Sequence, residues 1–469
     1  MKSVWKQDVV WKANKELDHD MSVNTVVIGA GIAGVLTAYL LKKRGIDTIV
    51  LEASRIGSGQ TGNTTAKITG QHGLFYSKMI NKVGRERLKG YALANEEAID
   101  RFGQIIREEN IDCDFERLPA VLFTTDVSNI RELKKEAKSA KKLGIRAYYT
   151  ENMTDMSLNR VNAKAAVYFE NQAQFHPLKF LKAISKDLII YENTPVISVK
   201  EHTVYTRKAR IEADHIVFAT HYPFINIPGF YFMRQHQERS YVLVLKDRAD
   251  NNERATLSAM YYSMDRDGLS LRRHKDMLLL GGGSHRTGKK TTCKNDETGY
   301  TFLQRVKEKY FPKAEVVAAW SAQDCMPHDD IPFIGKYSVF RPYWYVATGF
   351  KKWGMTSSMI AAEIISFAIQ KSTHGKEKTK VPGKGIARFA PVFAPARQLF
   401  LVSFFSLIID FWESVSGLCK GLFSSKERRC PHMGCRLEWN DEEKSWDCPC
   451  HGSRFTNEGE LLDNPAQID

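Results

Sequence analysis

Apolar runs separated by polar turns predict strands and helices in the order of an α/β fold. Residues 24–28 form a β-branched run that predicts a strand, and residues 35–44 repeat apolar side chains at helical spacing. Residues 47–52 predict a second strand, and later runs at 240–245 and 277–281 also have strand character. The chain therefore begins as a strand–helix–strand unit and is expected to continue into a second, mainly antiparallel sheet.

The turn between the first strand and the helix carries a dinucleotide-binding motif. Gly29, Gly31 and Gly34 have the G-x-G-x-x-G spacing, and Glu52 ends the second strand, where an acid holds the ribose hydroxyls. The helix start then faces the pyrophosphate. The same spacing recurs at residues 57–62 without a preceding strand, which alone favours a flexible turn. The first copy predicts dinucleotide binding in the N-terminal half.

The chain ends with a Cys-x-His and a Cys-x-x-His pair, whose candidate metal ligands are Cys430, His432, Cys448 and His451. Two thiolates and two imidazoles are the ligands of a Rieske [2Fe–2S] cluster, and the same set can hold Zn²⁺. Two details favour iron over zinc. The unequal spacing suits two loops around a cluster, and Cys435 and Cys450 lie at matching places just outside the ligands. A Rieske cluster would give the chain a carrier of single electrons.

Length and charge narrow the kind of protein further. The 469 residues predict two or three domains. The net charge is +14, but nine acidic and three basic residues from Cys430 onward give that end −6 and leave +20 on the remainder. An acidic end can dock on the basic body, while the basic surplus also suits an anionic lipid or an acidic partner. The sequence has no nucleic-acid motif, so no nucleic-acid partner is expected.

The N-terminus and the cysteines predict a cytoplasmic location. Residues 1–6 lack the apolar core of a secretory signal. The cysteines outside the terminal group are scattered like ordinary buried thiols: Cys113, Cys293, Cys325 and Cys419. Residues 399–409 are too short an apolar run to span a bilayer, which needs about 20 residues. Packing on the body is favoured for this connector, and the alternative is peripheral membrane contact through residues 399–412.

The loop after the second strand indicates which dinucleotide is bound. Residues 51–53 run into residues 57–67, and this segment resembles the D-amino-acid oxidase/glycine oxidase superfamily of FAD-dependent oxidoreductases, particularly its bacterial subgroup with a C-terminal Rieske domain. The further segments that agree are residues 194–197, 216–220, 330–335 and 347–356. The resemblance covers nearly the whole chain and implies FAD. It assigns FAD contacts to Thr61, Thr64, Thr65, Val196, Ala219, Thr220, Gly349, Trp353, Gly354, Met355 and Thr356.

The terminal segment resembles the Rieske proteins of respiratory and photosynthetic complexes. In those proteins the positions matching Cys435 and Cys450 form a disulfide between the ligand loops, so the resemblance implies a disulfide here as well as a [2Fe–2S] cluster. Several strands usually precede the first loop of a Rieske domain, whereas residues 424–429 lead straight into Cys430. The module is therefore expected to be shortened on its N-terminal side.

The predicted fold class is α/β: a Rossmann-like FAD-binding domain with an inserted α+β antiparallel-sheet substrate domain, plus a small C-terminal all-β Rieske-type module. The FAD-binding domain is expected to be discontinuous and to comprise residues 1–75, 155–222 and 325–372. The other expected units are a substrate domain of residues 76–154 and 223–324, a linker and connector helix of residues 373–429, and a Rieske module of residues 430–469.

The resemblance implies that an amine is oxidised by hydride transfer to the flavin. Amino-acid oxidases of this family bind the substrate carboxylate through an arginine eleven residues before the glycine matching Gly335, and here that position is Asp324. A carboxylate suits an ammonium group, so we expect an amine or polyamine-like substrate. The alternative is that Asp324 is an ion-paired surface residue. Arg239 and Tyr241 are further candidate pocket residues at the start of a substrate-domain strand.

The expected function is FAD-dependent oxidation of a small-molecule amine or amino acid. Electrons would pass from the flavin to the Rieske cluster and on to a protein or quinone acceptor, because the cluster carries single electrons. The alternative is a flavin and iron–sulfur module for electron transfer or redox sensing, without small-molecule turnover.

Overall fold

The structure of the protein is a computed structural model, and it describes residues 3–247, 257–265, 268–289, 299–375, 385–397, 408, 412, 415–423 and 428–467. In these residues the strands are β1 (Met21–Ile28), β2 (Thr48–Leu51), β3 (Lys67–Ile68), β4 (Glu116–Thr124), β5 (Ala147–Thr150), β6 (Ala165–Gln174), β7 (Ile189–Tyr191), β8 (Val196–Lys200), β9 (Thr203–Thr206), β10 (Arg210–Phe218), β11 (Gln235–Asp247), β12 (Met260–Ser263), β13 (Ser270–His274), β14 (Met277–Arg286), β15 (Ala314–Pro327), β16 (Phe333–Ser338), β17 (Arg341–Thr348), β18 (Glu438–Asn440), β19 (Ser445–Asp447), β20 (Arg454–Phe455) and β21 (Leu461–Asp463).

The α-helices of the described residues are α1 (Ile32–Lys43), α2 (Tyr76–Val83), α3 (Arg85–Glu108), α4 (Ile130–Lys142), α5 (Met156–Arg160), α6 (Pro177–Ser185), α7 (Gly299–Tyr310), α8 (Gly354–His374), α9 (Ala390–Phe393) and α10 (415–422).

The first sheet has the predicted strand–helix–strand unit at its centre. Its strands follow the order β16–β17–β10–β1–β2–β7, and β8 and β9 form a hairpin beside β10. The pairs that β1 makes with β2 and β10 are parallel, and their apolar runs suit a sheet covered on both faces. Ten of the twelve residues of α1 are buried, and the helix packs against α8. Because β1 and α1 follow each other directly, their glycine turn lies at the carboxyl edge of this sheet.

The second sheet is the expected, mainly antiparallel one. Its strands follow the order β15–β11–β14–β13–β12–β4–β6–β3, with β5 beside β6, and β12–β4 is a parallel pair. The predicted runs at 240–245 and 277–281 fall in β11 and β14. The pairing places β3 and β6 in this sheet, whereas the predicted division counts both with the FAD-binding domain, in its segments 1–75 and 155–222. In other respects the division into units stays a prediction.

The third sheet is small, antiparallel and C-terminal. It has the order β18–β19–β20–β21, and its core contains the four buried terminal cysteines together with Leu437 and Phe455. None of the described residues between 385 and 428 lies in a strand, which agrees with the expected shortening. Arg429 forms an isolated bridge with Arg436, and α10 precedes it.

No helix in the described part of the chain has the length and apolar character needed to cross a bilayer. The predicted membrane-surface segment at 399–412 lies outside the described residues, apart from Ile408 and Trp412.

Candidate active site and cluster site

A continuous cavity of about 880 Å³ runs between the carboxyl edge of the first sheet and the second sheet. This volume is typical of a cofactor site. The residues expected to contact FAD that line it are Gly29, Gly31, Glu52, Thr61, Thr64, Thr65, Val196, Ala219, Thr220, Trp353, Gly354 and Met355. Gly34, Gly349 and Thr356, which were also expected to contact FAD, are not among its lining residues. Of the expected substrate-pocket residues, Asp324 and Tyr241 line the cavity and Arg239 does not.

The turn after β1 requires glycine at two positions. Gly29 has a φ of +104°, and a Cβ there would lie 2.6 Å from the carbonyl oxygen of Ala219. A Cβ on Gly34 would lie 1.9 Å from the carbonyl oxygen of Gly29. Gly34 therefore lets α1 pack directly on the turn, and this explains why it supports the cavity without lining it.

Two helices begin at the cavity wall without a side-chain cap. Gly31 precedes α1 and Trp353 precedes α8, and neither provides a capping hydrogen bond. The Thr61 hydroxyl oxygen accepts a hydrogen bond from the backbone N–H of Ile32, the first residue of α1, at 2.9 Å. The remaining first-turn amides and the positive helix ends suit anionic or electron-rich groups. The start of α1 would face the pyrophosphate of FAD, and the start of α8 would face its flavin ring.

Glu52 lies at the end of β2, where the motif predicts the ribose partner. Its carboxylate accepts hydrogen bonds from the backbone N–H groups of Ala30 at 2.8 Å and Ser54 at 2.9 Å. Burial raises the pKa of Glu52 despite these hydrogen bonds. The carboxylate is thus held at the cavity wall, in the place expected for binding ribose hydroxyls.

Asp324 faces the cavity beside a second carboxylate and a lysine. It lies directly opposite Glu238 in the pairing of β15 with β11. Lys352 also lines the cavity, and its Nζ is 2.9 Å from Glu238 Oε2. Burial raises the pKa of Asp324 to about 6, the charge of Lys352 opposes this rise, and Glu238 adds to it. Burial also acts on Glu238, but Lys352 and His236 together lower its pKa overall.

Lys67 is a cavity residue whose role the sequence did not reveal. Its Nζ donates hydrogen bonds to the carbonyl oxygen of Tyr261 at 2.7 Å and to Ser270 Oγ at 2.6 Å. Burial, aided by the charge of Arg272, lowers the pKa of Lys67 to about 7. A lysine in this state can accept a proton near neutral pH. No local sequence signal marks it, because its burial depends on residues of β12 and β13.

Arg239 does not reach the expected substrate pocket, whereas Tyr241 lines the cavity and its ring packs against neighbouring aromatic side chains. The buried Arg239 donates from Nε and Nη2 to Ser321 Oγ at 3.1 and 2.8 Å, and its Nη2 is 3.6 Å from Glu443 Oε2 in the terminal module. The Tyr241 ring stacks on His285 and meets Tyr300 edge-on. Arg239 therefore contacts the terminal module instead of the cavity.

The fold brings the four predicted cluster ligands to one place. The thiols of Cys430 and Cys448 are within hydrogen-bonding reach of each other, and the ring centroids of His432 and His451 are 5.0 Å apart. A disulfide joins Cys435 to Cys450, as the resemblance implied. His432 Nδ1 is buried and has no hydrogen-bond partner among the described residues. Such an orphaned imidazole nitrogen beside two thiols fits the donor set of a [2Fe–2S] cluster.

The helix α10 packs directly against the ligand loops. A Cβ on Gly417 would lie 2.4 Å from Cys450 Sγ, and a Cβ on Gly421 would lie 2.0 Å from the carbonyl oxygen of Gly434. The backbone N–H of Arg436 donates to the carbonyl oxygen of Gly417 at 3.2 Å. These close approaches show that α10 supports both loops of the shortened module.

The second ligand loop is held against β11 and β15 by buried side-chain amides. Gln237 Nε2 donates to the carbonyl oxygens of His451 at 2.7 Å and Asn464 at 2.9 Å. Gln323 Nε2 donates to the carbonyl oxygen of Gly452 at 2.6 Å. Both glutamines are almost completely buried, so the contact between body and module excludes water at this point.

The C-terminal end of the module also forms part of the cavity wall. Asp463, Asn464 and Gln467 all line the cavity. Asn464 Nδ2 donates to the carbonyl oxygens of Thr220 at 2.7 Å and Tyr222 at 2.9 Å. The cluster module and the cavity are therefore parts of one packed structure.

Comparisons with known proteins agree with both sites. The family model for FAD dependent oxidoreductases matches residues 24–368, and the model for the Rieske [2Fe-2S] domain matches residues 412–468. The Rieske match begins before the predicted residue 430 and takes in α10. The chain is 33% identical to the Rieske 2Fe-2S iron–sulfur protein YhfW of Bacillus subtilis, over 98% of this chain and 95% of that protein.

Solved structures share the fold of the larger part of the chain. The L-proline dehydrogenase of P. horikoshii has a TM-score of 0.64 at 19% identity and covers 81% of this chain and 98% of its own. The glycine oxidase of Geobacillus kaustophilus has a TM-score of 0.63 at 16% identity and covers 80% of this chain and 99% of its own.

Proposed function

The chain belongs to the FAD-dependent oxidoreductase family and ends in a Rieske [2Fe–2S] domain, and from this we propose that it oxidises an amine or amino acid and passes the electrons through its cluster to an external acceptor. It is an FAD-dependent oxidoreductase of the amino-acid oxidase type, with FAD and a [2Fe–2S] cluster as its cofactors. The names of two structural neighbours, L-proline dehydrogenase and glycine oxidase, support an amino-group substrate.

The position of Asp324 carries the proposed substrate class. Its carboxylate faces the cavity, and the lysine next to it is already paired with Glu238. An incoming ammonium group would neutralise the remaining carboxylate in a low-dielectric site, where charge-assisted hydrogen bonds are strong. We therefore assign Asp324 as the group that orients the substrate nitrogen.

Bound FAD supplies the hydride acceptor for this chemistry. The residues that would hold it are those of the glycine turn, Glu52, the 61–65 loop and the start of α8. The substrate must lose one proton from nitrogen before its carbon can release a hydride, because an ammonium group has no lone pair to form the C=N bond. We propose Lys67 as the acceptor of that proton, because it lines the same cavity as Asp324. The product is an iminium ion, which water hydrolyses.

The cluster gives the electrons a way out of the protein one at a time. Cys430 and Cys448 would bind one iron of the cluster, and His432 and His451 would bind the other, as the donor set of a Rieske centre requires. The docking of the module on the cavity wall supports transfer within one chain. The proposed final acceptor is a protein or a quinone.

Anaerobic reduction of the flavin tests the proposal. The purified holoenzyme is mixed without oxygen with a panel of primary amines, diamines, polyamines and amino acids, and the flavin absorbance is followed together with electron paramagnetic resonance of the cluster. Bleaching by an amine or amino acid, followed by a cluster signal, is the expected result. If dithionite reduces both cofactors while no member of the panel does, the chain is better described as an electron-transfer module without small-molecule turnover.

A further inference from the structure

The pair of strands β11 and β15 separates the cavity from the cluster module. Successive side chains of a strand point to opposite faces. On one face Ser240, Ala322 and Asp324 line the cavity. On the other face Gln237 and Gln323 contact the backbone of the loop that carries His451. One layer of sheet therefore lies between the substrate site and the second pair of cluster ligands.

Gln237 contacts both the ligand loop and a residue of the cavity wall. Its Nε2 donates to the carbonyl oxygen of the ligand His451 at 2.7 Å. Its carboxamide also contacts the imidazole of His221, which lines the cavity. Gln237 Oε1 and His221 Nε2 are both buried, and neither atom forms a hydrogen bond among the described residues. The side chains of His221 and Gln237 and the backbone of His451 thus form a continuous series from cavity wall to cluster ligand.

The amides at this contact hold the ligand loop in place without adding charge. A carboxamide can satisfy buried carbonyl groups, which would otherwise cost free energy, and it stays neutral whichever redox state the cofactors have. The loop also leaves no room for a larger residue at Gly452, where a Cβ would lie 2.6 Å from Gln237 Cβ. The contact is therefore specific in shape as well as in hydrogen bonding.

We propose that Gln237 is a positioning residue that fixes the His451 loop against the cavity wall and, with His221, provides the route by which electrons cross from flavin to cluster. This inference rests on the proposed function, because it requires that the reduced flavin gives its two electrons singly to the cluster, which passes each to a one-electron acceptor. Gln323 supports the same loop through the backbone of Gly452, which is not a cluster ligand.

The test is flash photoreduction of the holoenzyme, which needs no substrate. The flavin is reduced photochemically without oxygen, and its reoxidation is timed against the appearance of the reduced cluster. The Gln237→Leu variant is compared with Gln235→Leu, a matched control: Gln235 lies on the same strand, is equally buried, and donates to Thr348 Oγ1 at 3.2 Å instead of to the module. Iron per FAD and the paramagnetic resonance spectrum are measured for each protein.

We expect Gln237→Leu to slow flavin-to-cluster transfer by about tenfold or more and to alter the resonance spectrum of the cluster, since lost support around a metal ligand has effects of this size. Gln235→Leu should match the unaltered protein in both. Unchanged transfer and spectrum in Gln237→Leu would overturn the inference. If the cluster of the unaltered protein stays oxidised while its flavin is reduced, the proposed function itself is overturned, whatever the variants show. If Gln237→Leu loses its iron, the milder Gln237→Asn is measured instead, whose shorter side chain should no longer reach the carbonyl oxygen of His451. An unchanged spectrum and rate in Gln237→Asn count against the inference.

Discussion

Asp324 and Glu238 lie directly opposite each other on neighbouring strands, yet their carboxylates are in different electrostatic states. Lys352 is paired with Glu238 at 2.9 Å, which keeps the pKa of Glu238 below its usual range against the effect of burial. Burial raises the pKa of Asp324 to about 6. Glu238 is therefore already ion-paired with Lys352, whereas the carboxylate of Asp324 is available to a cation in the cavity.

Replacement of Asp324 should weaken substrate binding. A hydrogen bond to a charged group contributes about 1.5–3 kcal/mol, so we expect Asp324→Asn to raise the KM of an amine substrate by about ten- to a hundredfold. Steady-state kinetics with the best amine of the panel measures this change. Asp276→Asn is the control, because Asp276 pairs with Lys246 on the same sheet away from the cavity. An unaltered KM in Asp324→Asn would refute the assigned role.

Substrate affinity should depend on pH through the same carboxyl group. The raised pKa means that Asp324 is largely protonated below about pH 6 and ionised above it. An ammonium substrate binds the ionised form, so affinity should rise as pH rises through 6 and should fall by about tenfold per pH unit on the acid side. Binding titrations from pH 5 to pH 8 measure this profile. The Asp324→Asn variant should give a flat profile, and a profile that keeps its step would assign the titration to another group.

Lys67 should control the rate of flavin reduction instead of substrate affinity. Its lowered pKa of about 7 leaves much of the amine neutral at physiological pH and ready to accept a proton. The limiting rate of flavin reduction should therefore rise as pH rises through about 7, and Lys67→Met should lower it by about a hundredfold or more, as expected for loss of a general base. Stopped-flow absorbance measures the rate.

The control for this experiment is Lys275→Met. Lys275 lies in the turn between β13 and β14, is exposed, and its Nζ is 3.0 Å from Asp8 Oδ2. It should keep both the rate and its pH dependence. A step near pH 7 that survives in Lys67→Met would show that the proton goes to another acceptor.

Residues with local sequence patterns could be predicted, and residues defined by long-range pairing could not. Gly29 and Glu52 follow from a motif contained in about thirty residues, and the terminal ligands follow from their spacing to one another. Lys67 becomes a cavity residue only because β12 and β13 supply the oxygen atoms that hold it. Gln237 gains its role from a loop more than two hundred residues away.

Arg239 is a residue whose strand could be predicted from sequence although its contacts could not. A strand was expected from the apolar run at 240–245, with Arg239 at its start, and it is present as β11. The face to which Arg239 points depends on the pairing with β15 and on the position of Glu443, neither of which local sequence determines. The prediction of the strand was therefore confirmed, but the prediction that Arg239 faces the substrate pocket was wrong.

Removal of a cluster thiolate should separate the two cofactors. We expect Cys448→Ser to lose its iron and its resonance signal, because the cluster needs both thiolates on one iron. FAD should remain, since the glycine turn that would hold it belongs to the first sheet, whereas Cys448 follows a strand of the separate terminal sheet. Metal analysis and the flavin spectrum measure this, with Cys113→Ser, a buried free thiol outside the module, as the control. Zinc in place of about two irons per FAD in the unaltered protein would contradict the assignment of a [2Fe–2S] cluster to these ligands.

A methyl group on the inner face of α10 should loosen the shortened module. Replacement of glycine by alanine inside a helix normally stabilises it by up to about 1 kcal/mol. At Gly421, however, the new Cβ would lie 2.0 Å from the carbonyl oxygen of Gly434, in the loop that carries Cys430 and His432. The clash should outweigh the helical preference, and overpacking of this kind costs about 1–3 kcal/mol.

The expected result for Gly421→Ala is loss of the cluster absorbance at a lower temperature while the flavin signal changes little. Thermal melts followed separately at the absorbance of each cofactor measure this difference. Ser416→Ala is the matched control, because Ser416 lies on the exposed face of the same helix and should show only the small helical preference. A cluster in Gly421→Ala that is as stable as in the unaltered protein would mean that α10 does not support the ligand loops, and that the body of the protein alone replaces the missing strands.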